Sequence, residues 1–257
     1  VPILRAAPIL LDLPRTMRAD DISALVAALG GSSVVPALYD VRRFVTATTI
    51  VSSWADALGR STVPSLTATG TKRPGWDGTA LTITFDGVDD CLTSGVNALF
   101  DLSGAITLWM VAAFQPTAAN DYAAGIAEST STARLLAVLQ NSGASGVLRA
   151  QVGAGSAFAA ADSTVTVGAT RRLILVSKNA STGVSVDVPS QARVSATNTG
   201  SVASGTNAFS VGNAFTGFSL PASPVVRAAG CLSRQATVQD IATILAWAKT
   251  YHGAVAA

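Results

Sequence analysis

The stretch Leu81–Leu92, Leu-Thr-Ile-Thr-Phe-Asp-Gly-Val-Asp-Asp-Cys-Leu, constrains the fold more than any other part of the chain. Leu81, Ile83 and Phe85 alternate with Thr82 and Thr84, the two-residue period of a strand with one buried face. Asp86-Gly87 then marks a tight turn, because Gly takes positive φ without penalty and Asp bonds its own backbone. Three carboxylates, Asp86, Asp89 and Asp90, are thereby gathered at a strand end. Hard cations take clustered oxygens, so a calcium ion is one reading of the trio. The preferred reading is that these carboxylates bond local backbone N–H groups.

The same rhythm of short β-type runs separated by Gly, Ser, Asn and Pro continues on both sides. Strands are expected near Val45–Val51, Thr79–Phe85, Ala105–Phe114, Arg134–Leu139, Val147–Val152, Arg171–Ser177, Val184–Val188, Asn207–Gly212 and Val225–Cys231. The stretch Gly153–Gly168 is nearly all small residues, and its flanking strands make it a strand and loop of the same sheet rather than a linker. No long helical pattern intervenes before residue 233, so the chain reads as a sandwich or barrel and not as βαβ units.

Helices are expected only at the two ends. Asp20 or Asp21 caps a short one in which Ile22, Leu25, Val26 and Leu29 form a narrow apolar stripe, ended by Gly30-Gly31. Thr237 and Asp240 make a capping-box pair for a C-terminal helix carrying Val238, Ile241, Leu245 and Ala248 on one face, with Trp247 and Tyr251 as packing anchors. Residues 1–18 form an extended arm whose Pro2, Pro8 and Pro14 keep it out of a central strand. The division expected is residues 1–38 as a docking arm and helix, and 39–257 as one all-β domain. The stripe either packs on that domain or docks onto another subunit, and the docking role is adopted.

Charged residues make up 12% of the chain and mean hydropathy is +0.44, which leaves a surface of Ser, Thr, Ala and Gly suited to burial in an assembly, such as a homo-oligomer. With 17 basic against 15 acidic residues and no basic run, nucleic acid is not an expected partner. The longest apolar stretch, near Ile106–Phe114, is far short of the roughly 20 residues a membrane-spanning helix needs, and no secretory signal is expected at the N-terminus. Cys91 and Cys231 fit neither a zinc spacing nor a disulfide framework. Two buried thiols are the preferred reading, and one bridge between them the alternative.

Chemistry is conspicuous by what is lacking. Glycoside hydrolysis ordinarily needs two carboxylates flanking the scissile bond, and the chain has a single glutamate, Glu128. Its only histidine, His252, falls at the end of the last helix, which is poorly placed for a Ser/His/Asp set. No zinc constellation or Gly-rich phosphate loop is present, so no organic cofactor and no enzymatic activity are expected. A sugar would need an aromatic platform with polar neighbours, and Trp76 with Asp77, and Tyr122, are the loop candidates.

Trp54-Ala55-Asp56, Gly59, Pro74 and Phe85-Asp86-Gly87-Val88-Asp89-Asp90-Cys91-Leu92 together resemble the opening of the laminin-G-like, concanavalin A-like lectin/glucanase family. Thr107-Leu108-Trp109-Met110-Val111, Phe209-Ser210-Val211-Gly212, Gly230-Cys231-Leu232-Ser233 and Tyr251-His252-Gly253 resemble its later segments, so the likeness spans about residues 39–253. Cys91 stands where an aromatic is usual, and Pro189-Ser190 replaces the common Asn-Gly or Asp-Gly turn. The resemblance implies a jelly-roll sandwich of two antiparallel sheets, as in carbohydrate-binding modules, some glycosidases and surface proteins of bacteria and bacteriophages. The expectation drawn from it is a non-enzymatic structural protein on the surface of a bacteriophage-like virion, a capsid decoration, head fibre or tail component, held to other virion proteins by its N-terminal arm. The alternative is a carbohydrate-binding module that adheres to cell-surface glycans.

Overall fold

The computed structural model describes residues 17–43, 45–68, 70–114, 121–128, 134–141, 146–154, 157–166, 168–180, 183–197, 207–213 and 223–256. Along the chain run α1 (Ala19–Ala28), β1 (Ala37–Asp40), β2 (Val45–Ala47), β3 (Val51–Trp54), β4 (Leu66–Thr67), β5 (Gly75–Asp77), β6 (Thr82–Thr84), β7 (Leu92–Asn97), β8 (Ile106–Phe114) and β9 (Asp121–Ala127). Then follow β10 (Arg134–Asn141), β11 (Val147–Ala154), β12 (Ala157–Thr166), β13 (Arg172–Lys178), β14 (Gly183–Asp187), β15 (Val194–Thr197), β16 (Asn207–Val211), β17 (Pro224–Leu232) and α2 (Val238–His252). The strands form two antiparallel sheets packed as a sandwich. One has the order β15-β14-β13-β8-β17-β6-β5, with β1 also on β17, and the other the order β12-β11-β10-β9-β16-β7-β4-β3-β2.

The continuous apolar runs of β8 and β13 arise because both faces of the first sheet are covered. Leu108, Met110, Ile174 and Val176 point between the sheets. Trp109, Val111, Leu173 and Leu175 point outward under α1 and α2. The outward layer takes up Ile22, Leu25, Val26 and Leu29, all nearly or wholly buried. That corrects the docking assignment: the stripe of α1 is spent on its own sheet, where each side chain contributes roughly 1.5–3 kcal/mol of burial. The helix begins at Ala19, and the Asp21 carboxylate accepts the Arg18 N–H at 2.7 Å instead of capping from the first position. Of the arm expected over residues 1–18, positions 1–16 lie outside the described residues.

At the other end the capping box is in place, with the Thr237 hydroxyl accepting from the Asp240 N–H at 3.1 Å and the Asp240 carboxylate from the Thr237 N–H at 2.9 Å. Arg234 ties the two helices, donating to Asp240 at 2.6 Å and to the Leu29 carbonyl at 3.0 Å. The proposed boundary between residues 38 and 39 falls inside β1. No described helix is long and apolar enough to cross a membrane.

The Asp86-Gly87 turn does not close a hairpin within one sheet. It carries the chain from β6 in the first sheet to β7 in the second. The strand before it is short, since Leu81 has φ +51° and belongs to the turn after β5. The expected strand over Val45–Val51 is likewise two strands, β2 and β3, joined by a turn. Gly212 shows why the later motif ends in glycine: it has φ +87°, and a Cβ there would stand 2.1 Å from the Phe85 ring and 2.8 Å from the Asp90 carbonyl. Cys91 and Cys231 are free and buried, so the bridge is not formed. Cys231 packs between the sheets, while Cys91 sits beside the Ser210 hydroxyl at the head of β7.

Candidate functional site

A concavity lies at the β2–β3 edge of the nine-stranded sheet. Val45, Thr46, Ser53, Ala55, Asp56, Gly59, Arg60, Ser61, Val63, Pro64 and Ser65 enclose about 540 Å³. Its walls come from the β2–β3 hairpin on one side and the 55–65 loop on the other.

The loop is held rigidly from below. Arg60 grips Asp56 with two parallel bonds, Nε to Oδ2 at 2.9 Å and Nη2 to Oδ1 at 2.7 Å, the fork geometry that makes such pairs directional. Its Nη1 donates to the Val35 carbonyl at 2.9 Å. Asp56 also accepts from the Leu38 and Leu58 backbone N–H groups, both at 3.2 Å, so one carboxylate joins the loop to β1. Deeper still, the Tyr39 hydroxyl donates to the Pro64 carbonyl at 2.6 Å, and its ring packs on Trp54 and Phe209. Burial, with lesser effects of Cys231 and Asp56, raises the Tyr39 phenol well above its ordinary value, so it stays a neutral donor.

Above that floor the cleft is lined by the hydroxyl-bearing Thr46, Ser53, Ser61 and Ser65 beside the apolar Val45, Val63 and Pro64. Hydroxyls both donate and accept, and the apolar patches accept C–H surface. The arrangement is suited to holding a neutral, hydroxylated ligand. Asp56 is the only carboxylate in the lining, and its oxygens are engaged by Arg60 and the backbone.

The sequence-derived candidates are dispersed. Trp76 and Asp77 lie on β5 at the edge of the eight-stranded sheet, and Tyr122 on β9 in the other sheet. Trp76 is half-buried against the inter-sheet core, while Tyr122 is 5% exposed and joins Leu135, Ala137 and Leu139. The exposed Asp77 carboxylate accepts from the Thr79 and Ala80 N–H groups at 2.9 and 2.8 Å, holding a turn. The structure therefore does not bring Trp76, Asp77 and Tyr122 to one surface.

Asp86, Asp89 and Asp90 do come together, with one oxygen of each within 4.8 Å of the others. Asp86 Oδ1 accepts from Val88 at 2.8 Å, and Asp90 Oδ2 from Asp86 at 3.0 Å, so two of the three fasten the turn. Burial, aided by the Asp86 and Asp89 charges, pushes the Asp90 carboxyl up to about 6 against the opposing Asp86 backbone bond. A calcium ion would take the remaining oxygens of these three and draw the rest of its six to eight ligands from backbone or water.

Solved structures that share the fold include the sialidase of Trypanosoma rangeli, at 14% identity and TM-score 0.61, over 88% of this chain and 34% of that one. A mutant of the same sialidase displaying trans-sialidase activity matches at 12% identity and TM-score 0.62, over 90% and 36% of the two chains. An α-L-arabinofuranosidase soaked with a cyclic sulfate inhibitor matches at 10% identity and TM-score 0.54, over 79% and 51%. This chain thus spans about a third of the sialidase and half of the arabinofuranosidase. At such identities the likeness shows the fold alone. It does correct one expectation: chemistry was excluded from the residue inventory, yet the neighbours sharing this sandwich are enzymes. No family model and no curated protein matches the chain.

Proposed function

We propose that the chain is a carbohydrate-binding module, a lectin-like jelly-roll sandwich that takes a sugar in the β2–β3 edge cleft and serves adhesion to glycan-bearing surfaces. The observation that carries this reading is the cleft itself, about 540 Å³ walled by Thr46, Ser53, Ser61 and Ser65 over the fixed Asp56–Arg60 pair. Its size falls within the roughly 300–1,000 Å³ of small-ligand sites. A floor whose polar groups are already paired loses little on losing water, so binding costs little in desolvation.

Display on a bacteriophage-like particle is the second reading. Its support is the sequence resemblance and the 12% charge content, which suits a surface packed among other subunits. With the stripe of α1 covered by its own sheet, attachment in that reading falls to other parts of the chain.

A glycan array probed with the whole chain tests the proposal. Specific retention of a defined set of neutral glycans is the expected outcome, and silence across the array overturns it.

A further inference from the structure

Arg227 occupies a β-bulge. Val226 stands opposite Ala112 and Ala228 opposite Val111, so β17 carries one residue more than β8 at this point. Bulges re-aim a side chain and are common beside functional sites. Here the re-aimed guanidinium reaches the C-terminal end of α2, where Nη1 lies 3.5 Å from the His252 carbonyl oxygen. Arg171, just before β13, places its own Nη1 on the same oxygen at 2.5 Å. Arg42 lies two residues past the end of β1, and its neighbour Val41 donates to the Arg227 carbonyl at 2.9 Å. Arg171 and Arg227 share the His252 carbonyl, and the charges of Arg42 and Arg171 both act on Arg227, so three half-buried guanidinia from three separate segments lie near one another at one end of the eight-stranded sheet.

Among the described residues, the acidic side chains that act on Arg227 are Asp40 and Asp77. Asp40 is fully buried, and its two oxygens are taken by the Arg42 backbone N–H and the His252 ring, each at 2.8 Å. Asp77 is exposed and committed to its turn. Capping the helix uses one N–H of Arg171 and one of Arg227, out of five on each guanidinium. Arg227 Nε is buried without a hydrogen-bond partner among the described residues. Burial lowers the pKa of all three arginines. Arg227 goes furthest, to about 10, because the Arg171 and Arg42 charges add to its burial. Helix capping needs one cation, and it leaves the gathering of three mutually repelling ones unexplained.

We infer that Arg42, Arg171 and Arg227 form an oxyanion-binding site at the bulged end of β17, which takes a sulfate or carboxylate group. Guanidinium forks match such groups with paired, charge-assisted bonds, and a bound anion offsets the repulsion among the three cations. The group is either a free inorganic anion or a substituent of an acidic sugar. This site is separate from the β2–β3 cleft and does not depend on the reading of that cleft.

The test is calorimetric titration of the whole chain with sodium sulfate at constant ionic strength set by chloride, repeated with a sulfated disaccharide. One saturable site is expected, weakened at least about tenfold in Arg42→Gln and Arg227→Gln. Arg227→Gln also loosens the end of α2, so Asp77→Asn serves as the independent variant. It removes a competing charge at an exposed position while its amide oxygen keeps the turn, and it tightens sulfate binding by about two- to fivefold. A disaccharide that binds more tightly than sulfate assigns the site to acidic glycans, and equal affinities assign it to the free anion; either supports the site. Absence of saturable binding, or equal response of wild type and all three variants, overturns it. Ser61→Trp, which fills the cleft, leaves sulfate binding unchanged, so failure here is distinguishable from failure of the sugar cleft.

Discussion

The ring Nε2 of His252 lies 2.8 Å from Oδ2 of Asp40, and neither side chain is exposed. This contact fastens the last turn of α2 to the end of β1 across almost the whole chain, which gives the only histidine a structural place. Removing one partner of a buried pair leaves the other unsatisfied, at a cost of about 3–5 kcal/mol. Asp40→Ala and His252→Ala should each lower the unfolding free energy measured in urea by that order, and the double variant by less than their sum. Additive losses would show that the two side chains act independently.

Gly212 is held by its neighbours as much as by its backbone. Gly212→Ala forces a Cβ into the Phe85 ring at a residue with φ +87°. A loss of about 2 kcal/mol or more is expected by equilibrium denaturation. Phe85→Leu in the same background should recover part of that loss, because it removes the ring atoms that the new methyl meets.

Both thiols are chemically quiet in the folded protein. Burial pushes Cys91 up to about 12 in spite of the Ser210 hydroxyl, and burial alone raises Cys231 further. The thiolate is the reactive form. An aromatic disulfide reagent at pH 8 should therefore count no thiols in the native chain and two after unfolding, and reductant should leave the melting temperature unchanged.

Asp90 gives stability a pH dependence opposite in sign to that of an ordinary paired carboxylate. Its folded-state value is raised to about 6 from 3.8, so between these two values the folded chain holds more protons than the unfolded one. Stability from this group rises as pH falls through 6 towards 4. Asp162, held low by its bond to Arg149, acts oppositely. So does Asp240, where bonds from Arg234 and Thr237 outweigh burial. Their contributions are lost as pH falls below about 4. Asp90→Asn should flatten the melting-temperature profile between pH 4 and 6.5 and leave the acid limb in place.

Local features were legible in the sequence and long-range ones were not. The Asp86-Gly87 turn and the Thr237–Asp240 capping box depend on residues within four positions, and both are where the pattern puts them. Strands β8, β13 and β17 were readable because their residues are apolar on two buried faces. β9 and β12 were diluted by alanine, and β1 is too short to show a period. The stripe of α1 was visible, but its partner was not, since the outward face of Trp109, Val111, Leu173 and Leu175 exists only once the strands are in register. The cleft had a local trace in Asp56 and Arg60, four apart between a Trp and a Ser-rich loop. The arginine cluster joins positions 42, 171 and 227 and leaves no trace in sequence order.

The central claim is that the β2–β3 edge cleft holds a sugar, and the most direct measurement is titration of an array-selected glycan into wild type, Ser61→Trp and Trp76→Ala. Ser61 is exposed at the cleft mouth, so an indole there fills the space without disturbing the core. Binding at micromolar affinity that is abolished by Ser61→Trp and retained in Trp76→Ala is the result predicted. Undiminished binding in Ser61→Trp would contradict the claim.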